Sequence, residues 1–275
     1  MVGDNSQQGR SQRIGIISSS AFSNFIIHTN IPRWPFVPAS TDGFLNSNTM
    51  EKKYKFTNEI RRFKGKTLHR IVAIRDFPSI IAGTKGGWIE KEDNLSHEGD
   101  CWVSDEAIVC DKACVFDNAK VAGNAIVEKC GHVFGEASVS VNARITDYAA
   151  IFGYARVFGA ALVGERANVC GNSMIGMDAA IEGNARVTGK VVIDGTAYIC
   201  GNAVIAKNED FIVFKNWWSS GRYFTWTRSN DKYKVGCFYG TGKELIEAAY
   251  NHDEKRGREY ERIVNYVNSI KNDGK

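Results

Sequence analysis

The sequence predicts an all-β solenoid, a parallel β-helix of about six coils with a small α+β module capping each end. Three observations carry this. From Val103 to Ile205 every sixth residue is Val or Ile, eighteen in all, with no insertion or deletion between them. Two residues before each stands a small side chain, Ala in fourteen of the eighteen, with Cys101, Gly131, Ser173 and Val191 as the exceptions. Between them fall corner pairs such as Gly123-Asn124, Gly171-Asn172, Gly183-Asn184 and Gly201-Asn202, residues that take up positive φ at little steric cost.

A helix would space its apolar residues near 3.6 and a half-buried strand at 2, so a strict period of six belongs to neither. In a β-helix each hexad supplies one short strand and one corner, and three hexads close a coil. The β-branched residue points inward at mid-strand, and the small one sits where the chain turns and room is short. Eighteen hexads then give about six coils, a rod of roughly 28 Å at ~4.8 Å per rung.

Units such as Val121-Ala122-Gly123-Asn124-Ala125-Ile126 resemble those of the hexapeptide-repeat proteins. The uninterrupted, Gly-Asn-rich form is most similar to YdcK-type β-solenoid proteins and to solenoid proteins of bacterial and prophage origin. The resemblance covers Cys101 to Ala206. It implies that the β-helix is left-handed, and it brings with it the label of an acyltransferase-like protein. In the acyltransferases of this fold the base is a His near a subunit interface, and a loop extruded from the coils helps enclose the acyl-CoA. Here no loop interrupts the register, and the one His within the repeats is His132, which precedes Val133 and is expected to face outward. A catalytic His needs an orienting partner and a pocket; the sequence displays neither. The carbonic-anhydrase variant of the fold needs three His ligands, which His97 and His132 cannot supply, so no metal is expected.

Taken in order, residues 1–49 hold three of the four prolines (Pro32, Pro35, Pro38) and five charged groups. They read as a flexible tail, or as an extension upstream of a start at Met50. Arg10 and Arg13 ahead of Ile14–Ile27 imitate a signal peptide, but Ser18-Ser19-Ser20 and Ser23-Asn24 break its apolar part.

Residues 50–100 read as a basic N-terminal cap. Between Glu51 and Arg75 nine Lys or Arg residues face two Glu, a local net charge of +7. Tyr54–Phe56 and Leu68–Ile74 are expected as strands, with a Gly-rich turn at 83–87 leading into Trp88-Ile89. A solenoid end exposes core and unpaired backbone, so a cap is required. The sharper alternative is a phosphate-binding patch of Lys52, Lys53, Lys55, Arg61, Arg62, Lys64, Lys66 and Arg70 on nucleic acid, although no nucleic-acid motif accompanies it.

Within residues 101–206 the outward positions are where function would be written. Phe116, Phe134 and Phe152 are eighteen apart and should stack on one face in three successive coils, with Cys170 next. Such an apolar strip marks a contact surface, and self-association, as a homotrimer for instance, is its simplest use.

Residues 207–275 hold 13 of the 31 aromatics. Phe211–Phe214 reads as a strand, Tyr223–Arg228 and Lys232–Phe238 as a hairpin, and two amphipathic helices follow. These rings are expected to plug the last coil; the alternative is an aromatic platform for nucleotides with Arg222, Arg228, Lys232 and Lys234. Gly240-Thr241-Gly242-Lys243 imitates a phosphate loop but lacks Gly at Cys237 and Ser or Thr at Glu244. Thr241 is expected instead to cap a helix.

The composition, 43% hydrophobic with a net charge of +4, suits one domain with end modules. No run of eighteen apolar residues would make a membrane-spanning helix. Seven cysteines, an odd number with no two eighteen apart, argue for a reducing compartment, the cytoplasm. The reading that follows is a rigid binding or scaffolding solenoid without catalysis or cofactor, acting through a protein partner or self-association; were it phage-encoded, blocking a host factor would suit so stiff a surface. Its rivals are a CoA-dependent acyltransferase, with acyl-CoA as cofactor and His132 as base, and a nucleic-acid-binding module built on the basic cap.

Overall fold

The computed structural model describes residues 51–272; the readings of residues 1–49 lie outside them. Three strands open the fold, β1 (Tyr54–Phe63), β2 (Lys66–Ala73) and β3 (Lys85–Ile89). Each of the eighteen hexads then forms one two-residue strand, from β4 (Trp102–Val103) to β21 (Val204–Ile205). Strands three apart pair in parallel and build three sheets, with registers such as Val109↔Val127, Val115↔Val133 and Val121↔Val139. The eighteen Val and Ile are completely buried in one continuous core with the small residues between them.

The solenoid begins one coil earlier than the hexads indicate. Trp88 and Ile89, at the end of β3, pair in parallel with Ile108 and Val109, and Leu95 bridges Val115, which brings the coils to about seven. Leu95 and Val103 are eight residues apart instead of six. Those two extra residues sit in the first corner and hide the first coil from a strict hexad count.

Every corner from Asp105 to Gly201 turns on the residue two places after the core side chain, and at each of these φ lies between 52° and 74°. Glycine fills nine of the seventeen corners and reaches this left-handed conformation without penalty. Aspartate fills four, and there the carboxylate does extra duty. Asp105, Asp111 and Asp117 accept the backbone N–H of Gly123, Lys129 and Gly135, one coil on, at 2.9, 3.1 and 3.0 Å. Val141 breaks the pattern: a β-branched side chain at φ 65, exposed, with no burial to compensate.

At the N-terminal end β1 and β2 form a hairpin through Lys64-Gly65, both at positive φ (48° and 80°), as a two-residue type I′ turn requires. The hairpin pairs with β3 and so extends one solenoid sheet to nine strands. β1 runs to Phe63 rather than ending at Phe56, because β2 offers it a partner along that length. As the outermost strand it carries Lys55, Glu59, Arg61 and Arg62, charges that blunt an open edge. Lys53 lies elsewhere than in a surface patch. It is buried, and its ammonium donates to the carbonyls of Gly99 (3.0 Å) and Glu98 (3.3 Å) and to Cys101 Sγ (3.2 Å). Burial pulls its pKa down, against the pull of Cys101. Tyr54 Oη likewise donates to Leu95 O at 2.8 Å.

Beyond β21 come β22 (Phe211–Lys215), β23 (Tyr223–Thr227), β24 (Lys232–Val235) and β25 (Phe238–Gly240), an antiparallel sheet, then α1 (Gly242–Tyr250) and α2 (Glu254–Asn272). The expected second hairpin strand is thus divided at Gly236, φ 57, into two. Thr241 caps α1, accepting from Glu244 N while Glu244 accepts from Thr241 N at 2.6 Å. Phe211 and Val213 pack against the solenoid core. The large rings do otherwise than expected: Trp218, Phe224, Trp226 and Tyr233 form a second core with Leu245, Tyr260 and Val267 of the helices.

If Val141 is strained by roughly 1–2 kcal/mol in the left-handed region, Val141→Asn should raise the chemical-denaturation midpoint without altering the slope. An unchanged or lower midpoint would show that the corner is relaxed as it stands.

Candidate functional site

One of the three sheets carries both His132 and the phenylalanine strip. Its strands run through Cys114, His132, Ala150, Asn168, Arg186 and Val204. Along a strand the residues on either side of an inward one share the opposite face. Each strand of this sheet therefore presents two outward columns. One holds Cys114, His132 and Ala150; the other holds Phe116, Phe134, Phe152 and Cys170.

The phenylalanines stack as the spacing predicts. Phe116 and Phe134 have ring centroids 4.8 Å apart and 5° from parallel; Phe134 and Phe152 are at 5.0 Å and 7°. The coil spacing imposes this geometry, since identical side chains one coil apart are held ~4.8 Å from each other. Two further aromatic residues flank the ladder. Tyr148 and Tyr154, each three residues beyond a core Ile, lie at the corners on either side of Ala150–Phe152, and each is 65% exposed. Sequence reasoning missed them, although their six-residue separation places them at equivalent corner positions.

His132 lies on the strand that carries Phe134, between Cys114 and Ala150 in register. It is half-buried, and burial pushes its pKa below the ordinary imidazole value. The neutral form is therefore favoured at pH 7, as a general base or an acceptor would need. Among the described residues every turn from Val103 to Ile205 has the same length, and no loop rises beside His132 to cover a substrate.

The basic residues are distributed differently from a phosphate-binding patch. Arg70 and Arg61 reach Glu106 at 2.8 and 3.3 Å, and Arg70 also lies 5.0 Å over the Trp88 ring. Lys52 pairs with Glu92 at 2.6 Å, Lys64 with Glu128 at 2.7 Å, and Lys66 with Asp111. Lys55 and Arg62 are the exposed members of the set without an ion pair among the described residues. Most of the positive charge thus stitches the hairpin to acidic side chains of the first coils.

Within that network Cys110, Asp111 and Glu128 approach one another closely enough to suggest a metal site. Their carboxylates are, however, already met by Lys64, Lys66 and Arg144, the last through Nε at 2.7 Å to Glu128. These three cationic side chains offset both carboxylates without a metal ion. Burial pushes the Glu128 carboxyl up, but its hydrogen bonds from Lys64 and Arg144 outweigh that and hold it below the usual carboxylate range.

No family model matches the chain. Over 93 residues it is 37% identical to a protein of Escherichia coli (strain K12) named "Uncharacterized acetyltransferase YdcK"; the match takes in 31% of this chain and spans 27% of that protein's length. The likeness to YdcK and the parallel coils agree with the hexapeptide-repeat resemblance. No helix of the described residues is long and apolar enough to cross a membrane.

A carboxylate whose pKa is depressed on folding stabilises above its unfolded value, near ~4.3, and loses that contribution as pH falls through the folded value. The stability advantage of the wild type over Glu128→Gln should therefore be greatest at neutral pH and shrink below about pH 4. Thermal midpoints of both proteins across this range test it; a constant difference would mean that Glu128 does not titrate with folding.

Proposed function

We propose that this chain is a rigid, non-catalytic binding solenoid that associates with further copies of itself through the aromatic face. The observation that carries the reading is the exposure of Tyr148 and Tyr154 on either side of the Phe152 rung. Tyrosines are enriched at the centres of interfaces, where a rigid ring buries much area at small entropic cost. The parallel stack of rings beside them supports the same face, because a surface repeated at each coil suits a symmetric contact. The ion pairs of the N-terminal hairpin weigh against nucleic acid as the partner.

Light scattering of the full-length protein, with Tyr148→Glu/Tyr154→Glu beside it, tests the proposal. The wild type should run as an oligomer, such as a trimer, and the double variant as a folded monomer. Loss of one interfacial tyrosine costs about 2 kcal/mol, a ~30-fold weakening for each. A wild type that stays monomeric at high concentration sinks the reading.

A second reading, a CoA-dependent acyltransferase, is favoured by the likeness to YdcK and by the place of His132 on the face proposed for self-association. It predicts that acetyl-CoA binds the wild type and that His132→Ala lowers acetyl transfer by at least ~100-fold, the contribution of a general base. Absence of calorimetric binding to acetyl-CoA rejects it.

A further inference from the structure

The C-terminal module contains a cavity that neither reading employs. It lies between β24, β25 and the two helices and has a volume of about 480 Å³, within the range of about 300–1,000 Å³ common to small-molecule sites. Its floor is apolar, formed by Phe238, Leu245, Ala249 and Tyr260, the last three buried. The one polar group of that floor, Tyr260 Oη, accepts from Asn216 Nδ2 at 2.7 Å and keeps its own proton to donate. The rest of the floor is hydrocarbon, so an apolar ligand body would gain there from leaving water.

The lining carries charge of one sign. Arg222, on the loop before β23, is exposed, and its guanidinium makes no ion pair among the described residues. Arg256, in the first turn of α2, binds Asp253 through Nε at 3.0 Å, which leaves both terminal amino groups for another acceptor. Among the described residues no Asp or Glu lines the cavity. This contrasts with the N-terminal hairpin, where most basic groups are neutralised from within. Two guanidinium groups above an apolar floor are complementary to a ligand with a carboxylate at one end and a hydrocarbon body at the other.

We propose that this cavity binds a small organic anion with an apolar tail, the tail against Phe238, Leu245, Ala249 and Tyr260 and the carboxylate held by Arg222 and Arg256. Titration calorimetry of the full-length protein with octanoate tests it, with octanamide as the neutral counterpart. Octanoate should bind, and octanamide about tenfold or more weakly, because the neutral amide offers the two guanidinium groups no charge to pair with. Arg222→Gln/Arg256→Gln should lose that preference while keeping the wild-type circular dichroism. Ala248→Phe, at an exposed position of α1 that lines the cavity, should obstruct octanoate without touching either arginine. Equal binding of octanoate and octanamide, no octanoate binding at all, or full affinity in the arginine double variant would each overturn the proposal.

Discussion

A stack of parallel coils cannot close on itself, and the rest of this structure depends on that constraint. Each interior strand finds partners on both sides, but the first and last coils leave backbone groups without a neighbour, and burying such groups unpaired costs about 1–3 kcal/mol apiece. The chain meets this with side chains. At the last coil the N–H groups of Val192, Tyr198 and Val204, one from each sheet, donate to Asn208 Oδ1, Thr225 Oγ1 and Ser229 Oγ at 2.9, 2.9 and 2.7 Å. At the first coil the carbonyls of Leu95 and Gly99 accept from Tyr54 and Lys53. The burial of Lys53 follows: a long donor side chain is drawn under the hairpin because the coil end needs one.

The corners impose the second constraint. A turn on a left-handed residue at every sixth position fixes the coil length, so a single inserted residue would rotate all later core positions out of the axis. Glycine meets the demand through its lack of Cβ, aspartate by binding the next coil's N–H. One of these aspartates also ties the hairpin down, since Asp111 receives both Lys129 N and Lys66. Corner geometry and cap attachment thus share residues, and the acidic side chains near the N-terminal end serve packing before they serve any ligand.

Sequence alone made most of this legible where geometry repeats. The hexads specify the strands, their register and the ring stack, because a side chain in a solenoid is placed by counting. Counting fails where the repeat does, as between Leu95 and Val103, and it cannot assign partners across the fold. The net charge of residues 51–75 is evident from composition, but that Arg70 meets Glu106, or Lys64 meets Glu128, depends on the path of the hairpin over the coils. The same limit hid the cavity. Arg222 and Arg256 are thirty-four residues apart and come together only through the packing of β23 to β25 on the helices.

The uniformity of the coils also bears on what the solenoid can do. A site that excludes water needs walls, and turns of equal length raise none, so the coils by themselves cannot surround a substrate. Any enclosure at His132 must therefore come from outside the coils. The proposed self-association and the proposed catalysis both depend on what meets this face there, and differ in what happens at His132. The C-terminal cavity is under no such requirement, since its walls are two helices and a sheet of the same chain, and a ligand there needs no second copy.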